Sequence, residues 1–209
     1  MEAKEKIDGR TLRAQRTHSL VHAKIFQALR DLAAEGETEL TPAKIATRAG
    51  VSVTTIYNHF PGSTAQILDE MIEQIFSQAA ANAEAYIAKG KLHDAVRAVM
   101  RTFAVELVKL GLGGKMALSH HYEALSKGAK QSGMFENFVY GVLSNSSEMD
   151  SQITFDFTRY LGVIVRGLHS TWANFPASRS TDPFVLSDEE FVELHLRSID
   201  LAMVLAKSK

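Results

Sequence analysis

Residues 41–60 read TPAKIATRAGVSVTTIYNHF. Thr41-Pro42 opens a helix, because threonine can cap free N–H groups and proline is tolerated at the first helical position. That helix carries Ile45 and Ala46 inward and stops at Gly50, which can take the positive φ of a tight turn. Ser52 then caps a second short helix containing Ile56, which ends near Phe60-Pro61-Gly62. Ala46 is small enough for the second helix to cross closely over the first, and Val51 and Ile56 supply a shared core. Two short helices joined by a Gly turn are the physical recipe for a helix-turn-helix, whose second helix enters the major groove. An ordinary helical hairpin is the plainer reading of the same residues.

The second helix begins Val53-Thr54-Thr55 and continues Tyr57-Asn58-His59. Hydroxyl, amide and aromatic groups on its early turns suit base edges and phosphates. We expect Val53, Thr54, Thr55, Tyr57 and Asn58 to face the groove, with Tyr57 and His59 mainly on phosphates. Thr41, Lys44, Ser52, Ser63 and Thr64 flank them at helix starts. Upstream, Gly9 to Arg30 holds no acidic residue but includes Arg10, Arg13, Arg16, Lys24 and Arg30. A cationic face can therefore exist on a chain whose formal net charge is -1. Residues 1–16 read as a flexible arm, and Arg10, Arg13 and Arg16 as backbone or minor-groove contacts.

Outward from this segment the pattern is helical. Val21, Ile25, Ala28, Leu29 and Leu32 mark one face of a helix over about Thr17–Ala34. Further helices fit Ser63–Lys89, His93–Leu110, Lys115–Leu125, Gly128–Ser144 and Ile153–Phe175. A last one runs from an S-x-x-E capping box at Ser187 and Glu190 to about Ala206. Gly111-Leu112-Gly113-Gly114 reads as a break. The predicted fold is all-α. A three-helix DNA-binding domain occupies residues 1–62, and a larger helical domain occupies residues 63–209.

The chain has 209 residues, 45% of them hydrophobic, and no cysteine. It can bury a core, and it has no disulfide or thiolate zinc site. A reducing cytoplasm fits this composition. No apolar stretch is long enough to span a membrane, and the polar N-terminus does not resemble a signal peptide. Glycine-rich phosphate loops, G-x-S-x-G and H-E-x-x-H are all missing, so no enzymatic activity and no cofactor is expected. His120 and His121 are adjacent and cannot share a helix face, so no metal site is expected there.

From Asp8-Gly9-Arg10 and Arg13-Ala14, through Ile45-Ala46 and Ala49-Gly50-Val51-Ser52, to Ile56-Tyr57-Asn58-His59-Phe60-Pro61-Gly62, the chain resembles the TetR family of bacterial regulators. The motif match covers roughly the first 70 residues. The resemblance implies a homodimer on palindromic double-stranded DNA, acting as a repressor that a small, mainly apolar effector releases. Family members often place a Lys near the start of the fourth helix to hold a phosphate. Here the segment is Gly62-Ser63-Thr64-Ala65, so only a hydroxyl or a helix N-terminal N–H is available.

In the C-terminal region, the faces of the last two helices read either as core or as a dimer surface. The resemblance implies the latter, with Leu161, Leu168, Trp172, Leu194, Leu201 and Leu205 at the interface. Met100, Phe103, Leu107, Tyr122, Phe138 and Phe157 are expected to line an effector cavity, although each also suits plain core. Arg166, in an apolar stretch, needs a partner: an acidic side chain such as Glu106 or Glu123, a ligand carboxylate, or the other subunit. The rival function is a DNA-bound interaction protein without an effector, recruiting a protein partner through its C-terminal domain.

Overall fold

The computed structural model describes residues 9–126, 133–144, 151–174 and 185–207. Among them it holds nine α-helices and no strand. These are α1 (Gly9–Ala34), α2 (Pro42–Ala49), α3 (Val53–His59), α4 (Ser63–Ile87), α5 (Leu92–Lys109), α6 (Leu112–Ser126), α7 (Met134–Ser144), α8 (Ser151–Asn174) and α9 (Asp188–Lys207). The chain divides into two compact units, Met1–Ile67 and Leu68–Lys209, with α4 beginning in the first and continuing in the second. No described helix is long and apolar enough to cross a membrane.

In the first unit, α1 supplies Ile25 and Leu29, α2 Ile45, α3 Ile56 and the following turn Phe60, all fully buried. Burying each such side chain contributes about 1.5–3 kcal/mol. The periodicity of α1 therefore closes a small core over α2 and α3. One expectation changes here. Residues 9–16 belong to α1 instead of an arm, so Arg10, Arg13 and Arg16 are carried on a helix. No acidic residue or breaker interrupts that stretch.

The second unit is a bundle in which α8 packs against α6, α7 and α9, and α5 against α9. Trp172 of α8 is fully buried, stacks on Phe191 of α9 at 4.3 Å, and donates its indole N–H to Asp188 at 2.8 Å. The Ser187–Glu190 capping box forms in both directions, at 3.1 and 2.8 Å. The expected break over residues 111–114 contracts to Gly111, and α6 begins at Leu112. Gly114 lies inside that helix, where a Cβ would sit 2.2 Å from the carbonyl oxygen of Leu107 on α5, so the position takes glycine. Its value is close approach, not chain reversal.

Candidate functional site

Thr41 takes an extended backbone and its side chain accepts from the amide of Lys44 at 3.3 Å, which starts α2. Gly50 ends α2 in the left-handed region, φ 65 and ψ 38, with its N–H turned back to the carbonyls of Ala46 and Thr47. A Cβ would strain this conformation. Ser52 caps α3 by accepting from the amide of Thr55 at 3.0 Å, and its hydroxyl also meets that of Thr55 at 2.8 Å. Ile56 points into the core, and this fixes the opposite face of α3 outward. Val53, Thr54, Tyr57 and Asn58 form that face, with Val53 39% and Tyr57 49% exposed. An outward stripe with one carboxamide, one hydroxyl, one phenol and one branched apolar group has the chemistry that reads base edges.

The other candidate residues sort by what already holds them. Arg13 and Arg16 are exposed on α1, while the side chain of Arg10 lies outside the described residues. Lys44 forms ion pairs with Glu37 at 2.9 Å and Glu39 at 3.4 Å, and the Glu37 contact raises its ammonium above the ordinary range. Its charge is partly spent within the fold. Thr41 and Ser52 use their hydroxyls as caps, the Thr55 hydroxyl is held by that of Ser52, and Thr64 donates to the carbonyl of Leu40 at 2.7 Å. Ser63 adopts a positive φ of 62, uncommon for a residue with a Cβ. Its amide donates to Phe60 at 2.8 Å, closing the turn into α4. His59 is half-buried, its ring against those of His18 and His22, and burial followed by the charge of His18 holds it below the ordinary histidine range.

Residues 25–71, which contain this helix-turn-helix, match the family model described as bacterial regulatory proteins, tetR family. The N-terminal unit is a TetR-family DNA-binding domain. The chain also superposes on the crystal structure of a protein described as a TetR-family transcriptional regulator from Mesorhizobium loti. The TM-score is 0.53 over 90% of this chain and 97% of the other, at 16% identity. That likeness shows the fold alone. No curated protein is similar enough to match.

In the second unit, Met100, Phe103 and Tyr122 line a cavity of about 50 Å³ together with Phe76, His121, Glu136, Arg166 and His169. Leu107, Phe138 and Phe157 are not among its lining residues. Leu107 and Phe157 are buried in the core, and Phe138 packs edge-on against Phe76 at 6.0 Å. The cavity is more polar than the sequence suggests. The hydroxyl of Tyr122 meets Nδ1 of His169 at 2.5 Å, and Arg166 pairs with Glu136 at 2.6 Å, not with the acids weighed from sequence. Burial pushes the Tyr122 phenol up, with Glu136 adding to it. His169 lies well below the ordinary histidine range through burial, then His195 and His121.

The outer faces of α8 and α9 also differ from expectation. Leu161 and Trp172 are fully buried within the chain, because α8 is packed by three helices and these two side chains turn toward them. Leu168 and Leu194 are half-buried, and the side chain of Leu205 lies outside the described residues, as does Phe175. Leu201 is 65% exposed, and beside it in exposure stand Val204 at 65% and Val163 at 66%. Tyr160, Val163, Gly167 and Ser170 follow one another at helical spacing along the outside of α8.

Proposed function

We propose that this TetR-type regulator represses transcription by binding a palindromic operator as a homodimer. The outward face of α3 carries the reading: Val53, Thr54, Tyr57 and Asn58 are presented together by a helix whose other side is locked by Ile56. Arg13 and Arg16 on α1 supply charge for phosphates, in place of the lysine missing at the start of α4. The dimer forms through the exposed apolar positions Val163, Leu201 and Val204. In such a dimer the two reading helices are spaced by about one turn of DNA, 34–36 Å, or a multiple of it.

Release comes from a small molecule entering the second unit at the Tyr122–His169 cavity. Its apolar body meets Phe76, Met100 and Phe103, and its polar end meets Tyr122 or Arg166. At about 50 Å³ the cavity holds only a water or two, so the ligand-bound state is a wider one that the ligand favours over this one. The helix α4, which lends Ile72 and Phe76 to the lining, begins in the DNA-binding unit. The same smallness favours a second reading, an interaction protein on DNA with no effector. Selection of bound sequences from a random duplex library tests the first part, with an inverted repeat expected. Recovery of no enriched sequence, or of a non-palindromic one, would overturn it. A library of small metabolites assayed by thermal shift and operator release separates effector from scaffold.

A further inference from the structure

We propose that His18, His22 and His59 form a binding site for a divalent transition-metal ion of the zinc type within the first unit. His18 and His22 stand four residues apart on α1, the spacing that sets two side chains side by side on one helix face. His59, the last residue of α3, brings a third ring to them, with centroids 4.6 Å from His18 and 5.2 Å from His22. One donor nitrogen from each of the three lies within 4.8 Å of the others. Zn–N bonds of about 2.0–2.1 Å in a tetrahedron place the nitrogens about 3.3 Å apart. The rings therefore have to draw together by no more than about 1.5 Å, within the reach of side-chain rotation.

The surroundings suit a metal better than a simple stack. Nδ1 of His59 is buried and meets no hydrogen-bond partner. A buried imidazole nitrogen in that state calls for a partner that the polypeptide does not supply. Phe60, 4.4 Å from the ring of His22, and Phe26 form an apolar floor, while exposed His18 leaves an entry from solvent. Three imidazoles with a fourth position open to water select zinc, cobalt, nickel or copper over magnesium or calcium, which prefer oxygen donors. Such an ion ties the end of α3, next to Asn58, to α1. The pair at 18 and 22 has the one-face spacing that the adjacent His120 and His121 lack. The third ligand comes from another helix.

The site stands whether or not the DNA reading holds, and its test is metal binding by the tag-free full-length chain. Titration with Co(II) is expected to give one ion per chain with the intense visible bands of tetrahedral coordination, displaced by Zn(II). Replacing a residue that only orients a ligand costs 10–100-fold in affinity as a rule, so loss of a ligand in His18→Ala should weaken binding by at least about tenfold. His18 is exposed, so that variant should keep its helical circular dichroism. Zn(II) should raise the melting temperature of the native chain, and that of His18→Ala by clearly less at the same concentration. His120→Ala, which alters the separate His120–Asp69 contact in the second unit, should bind as the native chain does. Absence of Co(II) binding at micromolar protein, or binding unchanged by His18→Ala, or binding lost in His120→Ala, would overturn the assignment.

Discussion

Acid should unfold the second unit through His195. Its Nδ1 lies 2.6 Å from the carbonyl of Phe191, one helical turn earlier. A carbonyl only accepts, so Nδ1 carries the hydrogen and Nε2 holds the lone pair, buried with no partner. Protonating Nε2 would place a charge in the interior beside the ring of His169, 4.9 Å away. Burial accordingly lowers His195 to about 4, against a smaller opposing effect of the Phe191 carbonyl. In the unfolded chain the same ring takes its proton near pH 6.5. Between those values the unfolded state binds more protons, so stability is intact above about pH 6.5 and falls as pH drops toward 4.

The full gap is worth about 3 kcal/mol, and about 2 kcal/mol of it is lost between pH 7 and pH 5. The single tryptophan of the chain, Trp172, lies buried against Phe191, so its fluorescence reports this unit. Urea unfolding followed at Trp172 should show the native chain losing about 2 kcal/mol more than His195→Met over that interval. Methionine fills the space without titrating, and effects of carboxylates elsewhere cancel in the comparison. Parallel pH dependences for the two proteins would refute the reasoning.

Gly114→Ala should be destabilising although alanine is the better helix former. The new Cβ would meet the Leu107 carbonyl at 2.2 Å, and a net loss of about 1–3 kcal/mol should lower the melting temperature by several degrees. Asn58→Ala should fold normally and alter the preferred base at one position of each half-site, with about 1–3 kcal/mol of discrimination lost; competition binding against single-base operator variants reads this. Lys44→Ala should reduce the salt dependence of operator affinity by well under the unit expected of an uncommitted phosphate contact, because Glu37 and Glu39 already hold the ammonium. The double change Val163→Glu and Leu201→Glu should give folded monomer in sedimentation, and a persisting dimer would assign the interface elsewhere.

The helix-turn-helix was legible in the sequence because its determinants are local. Thr41, Pro42, Gly50 and Ser52 set caps and a turn within a few residues of themselves, and Ile45 and Ile56 each mark the apolar side of their own short helix. The capping box at Ser187 and Glu190 is legible for the same reason. What tertiary structure decided was the partner of each side chain. Apolar periodicity names a buried stripe but not what buries it, so Leu161 and Trp172 on α8 could be assigned to a dimer surface when α6, α7 and α9 were already covering them. Pairs such as Arg166–Glu136 and Tyr122–His169, and the meeting of His59 with His18 and His22, join residues tens of positions apart. No spacing rule relates such residues. Only the packing of one helix against another brings their atoms within bonding distance.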